Sequence, residues 1–162
     1  MIKRFYVEKK AGFNTKSKAL QMTFRKILNL KALEGLRIVN RYDIEALPED
    51  VMQQVVDTIF SEPNVDNVYV EDLPVSEDEQ VFAIEYLPGQ YDQQADFAVQ
   101  CVQLLSGTRP TIKVAECIVL KGDLSDEDIQ KIKQYMINPV DSKEADLAPR
   151  TTLTDVVKEP AP

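Results

Sequence analysis

The chain has 162 residues, is 44% apolar and 28% charged, and carries a net charge of −8 without a single histidine. That composition is typical of a soluble globular protein, and the length suits one domain or two small, closely packed halves. The negative balance argues against indiscriminate binding to nucleic acid or anionic membrane, and the missing imidazole removes the commonest base and metal ligand.

Residues 2–8, rich in Phe, Tyr, Val and Ile, read as a first strand, and Gly12 turns the chain out of it. Asn14 or Thr15 suits the cap of a helix whose core face is Leu20, Phe24, Ile27 and Leu28. Gly35 stands where a turn is expected after that helix. Residues 36–45 then alternate, with Leu36, Ile38, Tyr42 and Ile44 on one face and Arg37, Arg41, Asp43 and Glu45 on the other. A period of two over ten residues predicts a long, half-buried antiparallel strand; a hairpin near Asn40 would break the parity. Pro48 with Glu49 and Asp50 opens a second helix, whose core face is Val51, Val55, Val56 and Ile59. Residues 65–71 give a short third strand, and residues 73–80 an acidic connector.

The second half repeats this order. Residues 81–86 read as a strand, Asp92 as a helix cap, and Ala95, Ala98, Val102 and Leu105 as a helical stripe closed by Gly107 and Pro110. Residues 112–120 alternate as a strand, and Ser125-x-x-Asp128 resembles a capping box ahead of Ile129, Ile132 and Met136. Residues 141–146 are poor in strand formers, and from Ala148 to Pro162 the chain reads as a linker. Gly12 and Gly89 stand 77 residues apart, and so do Leu47 and Leu124, with similar elements on either side. The chain is therefore expected to be an internal duplication, residues 1–72 and 81–147, each β-α-β-α-β. The fold class is α+β: two tandem halves form a pseudo-dimer of antiparallel sheets covered by helices, because three strands alone leave an open edge.

No run approaches the ~20 apolar residues that span a bilayer, and residues 1–6 lack a signal peptide's apolar stretch, so the expected location is the cytoplasm. The two cysteines have neither C-x-x-C spacing nor a histidine partner, and the five glycines form no phosphate-cradling motif. Catalytic and metal-binding residues are accordingly expected to be none, and Cys101 and Cys117 are expected to be buried, inert thiols. One polar cluster stands out: Gly89, Gln90, Tyr91, Asp92, Gln93 and Asp96, where a turn enters a helix. Free N–H groups at a helix start suit an anion such as a nucleotide phosphate. A capped turn that contacts a neighbouring domain accounts for the same residues, and Asp92 would repel a phosphate. Arg37 and Arg41 share a strand face, where pairing with Asp43, Glu45 or the connector competes with a role as an anion clamp.

Several stretches resemble one known family. They are Tyr6-Val7-Glu8-Lys9-Lys10-x-Gly12, Leu36-Arg37-Ile38-Val39-Asn40-Arg41-Tyr42-Asp43-Ile44-Glu45 and Phe60-Ser61-Glu62-Pro63-x-Val65-Asp66 in the first half. In the second they are Glu85-Tyr86-Leu87-Pro88-Gly89-Gln90-Tyr91-Asp92-Gln93-x-Ala95-Asp96, Gln100-Cys101-x-Gln103-Leu104 and Ile137-Asn138-Pro139-Val140-Asp141-Ser142-x-Glu144-Ala145. Over residues 1–147 the chain is similar to the N-terminal domain of large phosphoribosylformylglycinamidine synthase, a purine-biosynthesis ligase that consumes glutamine and ATP. The Leu-Pro-Gly-Gln run is the most specific part. The resemblance implies two fused copies of a small PurS-like unit, with no cofactor of their own. ATP and magnesium would bind in a synthetase domain, and glutamine chemistry would reside in a glutaminase domain; those two domains are the implied partners. It also implies a non-catalytic scaffold that keeps the two in register. The other reading of the residues is a free-standing α+β module that binds a small regulatory metabolite between its halves.

Overall fold

A computed structural model describes residues 2–45, 47–87 and 89–147. In chain order these form β1 (Ile2–Lys9), α1 (Thr15–Lys26), β2 (Leu33–Glu45), α2 (Glu49–Val55), β3 (Asp66–Val70), β4 (Glu79–Tyr86), α3 (Gln93–Ser106), β5 (Thr111–Gly122), α4 (Asp126–Met136) and β6 (Ser142–Ala145). α2 runs on into a π-helical turn, Val56–Phe60. The strands make one antiparallel sheet in the order β3-β1-β2-β5-β4-β6. The protein is thus α+β, with four α-helices and a single six-stranded sheet among the described residues. The two expected sheets meet edge to edge: β2 and β5 pair continuously from Leu36 opposite Leu120 to Glu45 opposite Thr111.

The alternation in residues 36–45 explains why β2 holds both sides of the molecule together. Its even-numbered apolar residues face the helices, and they serve two separate cores. Tyr42 and Ile44 pack with Phe5, Val7, Val55, Val56 and Phe60, under Ala98 and Val102 of α3. Phe5, Tyr42 and Phe60 meet ring to ring with centroids 4.8–5.3 Å apart. Leu33 and Leu36 pack instead with Phe24 of α1, Ile118 and Leu120 of β5, and Ile129 and Ile132 of α4. Each core therefore takes residues from both halves of the chain. α1 lies on β2 and shares its core with α4, and α3 lies on β5 and shares its core with α2.

No helix covers the other face among the described residues. There Tyr6, Val39, Ala83, Ala115, Cys117 and Val119 are buried with partly buried Leu73 of the connector. The odd-numbered charges of β2 sit on this face and were expected at a half-buried surface. Arg41 and Asp43 are instead 2% and 1% exposed. Arg4 donates from Nε and Nη2 to Asp43 at 2.6 and 3.0 Å, and Arg41 Nε lies 3.8 Å from the same carboxylate. Arg4 and Arg41 also donate to the carbonyls of Leu147 and Asp146, each at 2.9 Å. Arg37 grips Glu8 through two bonds of 2.7 and 2.8 Å, reaches Glu79 at 3.5 Å, and donates to the Pro74 carbonyl. Both arginines are thus held by partners within the chain, which removes the anion-clamp reading.

Several local expectations change. Gly35 lies inside β2, at a register shift between Leu33 and Gly35, and the turn falls earlier, where Asn29 has φ of 56°. Ile27 is 71% exposed, because α1 ends just before it and no longer directs it inward. Residues 142–145 do form a strand despite weak propensity, since β4 offers them a free edge. Glu79 and Gln80, read as connector, already belong to β4. The expectation that residues 148–162 are a linker, like that for Pro88, lies outside the described residues.

Candidate functional site

The polar cluster sits where β4 hands over to α3. Gln90 N–H closes the turn on the Leu87 carbonyl at 3.0 Å, and Gly89 takes φ of 88°, a conformation that a side chain resists. The turn is moored to the far end of the chain: Leu87 N–H donates to the Asp141 carbonyl at 2.9 Å, and Tyr86 pairs with Ser142. Two stretches about fifty residues apart in sequence thus form one surface.

Asp92 is the helix cap, and its carboxylate accepts from Ala95 N–H at 3.1 Å. Asp96 N–H donates to the Asp92 carbonyl at 3.0 Å. Asp96 stands in the first turn, favourably placed against the helix dipole, and accepts from Tyr91 Oη at 3.0 Å and Gln100 Nε2 at 2.9 Å. The bond to Asp96 raises the Tyr91 hydroxyl above its ordinary pKa, although the ring is 70% exposed. Gln93 points into solvent. Residues 89–93 and Asp96 do come together, but the helix end is closed by one carboxylate and flanked by a second. Those two charges favour a contact surface over a phosphate site.

Beside the turn lies an open cleft of about 390 Å³, to which Arg109 and Lys113 contribute from the far side of α3. Neither was legible as a site residue, since only the pairing of β4 with β5 brings them here. The sheet centre holds a second feature that the periodicity hid. Asn40 and Glu116 are register partners on the helix side, between the two cores. Two clefts meet at this pair, one of about 280 Å³ near Gln94 and Asn138, the other of about 370 Å³ near Lys9 and Lys16. Lys16 reaches Glu116 at 3.3 Å, and Gln94 donates to the Tyr42 hydroxyl at 2.6 Å. Polar residues at inward positions of an alternating strand were the available signal.

The thiols differ. Cys117 is buried, and burial pushes its pKa up to about 11, against the pull of Arg41 and Arg4. Cys101 is only half-buried on α3, contrary to expectation. Neither has a base beside it, as the chain has no histidine. Among the described residues no helix is long and apolar enough to cross a membrane. Compared with models of known protein families and with characterised proteins, the chain matches none.

Proposed function

We propose that this chain is a non-catalytic, PurS-like scaffold domain of a phosphoribosylformylglycinamidine synthase, acting in the cytoplasm to hold synthetase and glutaminase domains in register. The observation that carries the reading is the bond from Leu87 N–H to the Asp141 carbonyl. It joins two stretches that carry the family resemblance, 85–96 and 137–145, beside the exposed turn, as a docking role requires. Gln90, Tyr91 and Gln93 there are uncharged and amphipathic, a mix suited to an interface. ATP, magnesium and the glutamine-derived ammonia belong, on this reading, to the attached domains.

The duplication reading has its own support. Matching β1, β2 and β3 to β4, β5 and β6 makes the strand order read alike from either edge, with Asn40 and Glu116 at its centre. The matched positions also share faces: Phe5, Tyr6 and Val7 against Phe82, Ala83 and Ile84. Met52 and Val55 likewise match Ile129 and Ile132. A pseudo-dimer of two such units accounts for these facts together.

The test is Tyr91→Ala in the protein that carries this domain beside its synthetase and glutaminase regions. Glutamine-dependent amidation is expected to fall severalfold more than ammonia-dependent amidation, while the melting temperature of residues 1–162 stays nearly unchanged. Equal loss of both activities would point to substrate binding, and a large loss of stability would refute the docking surface. A second reading, a metabolite-binding module, is favoured by the twin clefts at Asn40 and Glu116. Saturable binding of a small metabolite by the isolated chain, weakened by Asn40→Ala, would select it.

A further inference from the structure

α3 buries one side and leaves an apolar stripe on the other. Phe97, Cys101 and Leu104 recur at steps of four and three along its outer side, with Phe97 65% and Leu104 87% exposed and Cys101 half-buried. Leu105, 43% exposed, borders the stripe. Outward apolar side chains at helical spacing along two turns form a seam rather than scattered surface residues.

The two ends of the seam carry opposite charges. Asp92 and Asp96 stand at the N-terminal end and Arg109 just beyond the C-terminal end. Asp92 accepts from a backbone N–H, Asp96 from Tyr91 and Gln100, and Arg109 donates to Gln103. None of the three meets an opposite charge among the described residues. Such placement also complements the helix's own dipole. The dipole, however, gives no reason for the apolar stripe between the charges.

We propose that α3 is the contact surface of a homodimer, in which two copies lay their α3 helices antiparallel across a two-fold axis beside Gln100 and Cys101. Antiparallel self-pairing sets Phe97 against the partner's Leu104 and brings Arg109 to the partner's Asp92 and Asp96. Parallel pairing would set like charges together, so the charges alone fix the orientation. One patch meeting its own copy about a two-fold axis closes the assembly at two. A seam of two turns falls below the ~1,200 Å² of firm complexes, so the dimer is weak and concentration-dependent. The net charge of −8 on each copy opposes approach, and salt that screens it favours the dimer. This inference is independent of the synthase reading.

Sedimentation of the full chain at ~10–500 μM in moderate salt tests it, with association rising over that range. Leu104→Ser and Phe97→Ser, both at exposed positions, are each expected to raise the dissociation constant about tenfold or more with the circular dichroism unchanged. Arg109→Glu and Asp96→Arg should each weaken the dimer, and the two together should restore it. Copper-catalysed oxidation should link two copies through Cys101, near the axis, and Cys101→Ser should abolish the link; Cys117, 1% exposed, is out of reach. A chain that stays monomeric throughout overturns the proposal, as does a dimer indifferent to Leu104→Ser. So does a stripe whose Cys101 resists alkylation only when further domains are joined to the chain, which would assign it to docking within one polypeptide.

Discussion

Asp43 lies between two guanidiniums on the face of the sheet that no helix covers among the described residues, and all three groups are at least nine-tenths buried. Removing the carboxylate would take from two buried guanidiniums the charge that both face, leaving their bonds to the carbonyls of residues 146 and 147. Breaking a buried ion cluster on one side costs more than the cluster itself contributes. Asp43→Ala is therefore expected to lose about 3–5 kcal/mol in urea unfolding, far more than a surface substitution. Cys117 gives a subtler readout. Its folded pKa of about 11 lies above the ordinary 9.0, so the folded chain keeps the proton longer than the unfolded one. Its stabilising effect is complete below about pH 9 and is lost as pH rises towards 11. Wild-type stability should accordingly fall more steeply over that window than that of Cys117→Ala, by at most about 1.4 kcal/mol per pH unit. Parallel slopes for the two proteins would refute the buried titration.

At the scale of elements, α1 and α3 occupy matching places but begin differently. Asp92 caps α3 through Ala95 N–H, whereas Asn14 makes no side-chain bond to α1 and accepts instead from Gly12 N–H at 3.3 Å. Asp92→Ala should therefore cost about 1 kcal/mol in thermal or urea unfolding, and Asn14→Ala clearly less. Equal costs would show that the caps are equivalent after all. The sequence located the Asp92 cap and the capping box of α4, in which Ser125 accepts from Asp128 N–H and Asp128 accepts from Ser125 N–H, and left the cap of α1 between Asn14 and Thr15. It misplaced the turn before β2. Gly35 looked like punctuation, but the glycine that topology requires is Gly122, where a Cβ would strike the Ala32 carbonyl oxygen. That approach is between residues ninety apart, and no local pattern announces it.

The whole molecule is held by the β2–β5 pairing and by two cores that each draw on both halves. A fragment of residues 1–72 would lose the partners of Phe24, Leu33 and Leu36, and would expose one edge of β2. It is expected to be unfolded by circular dichroism, whereas the full chain should unfold in one cooperative transition. A folded, monomeric fragment would contradict the shared cores. The candidate site divides in the same way between what was legible and what was not. That residues 89–93 and Asp96 form a turn and a capped helix start follows from local rules. That Asp141 anchors the turn, and that Arg109 and Lys113 face its cleft, follows only from which strands pair. The sequence by itself determined the order of elements, the α+β class and the membership of each strand face, because side-chain periodicity is a local property of the backbone. Tertiary structure decided what covers each face. A period of two says that Arg37, Arg41 and Asp43 point the same way, but not that the face is buried. Only the closure of one six-stranded sheet, with chain segments rather than helices at the buried charges, turned a seemingly solvated face into a core.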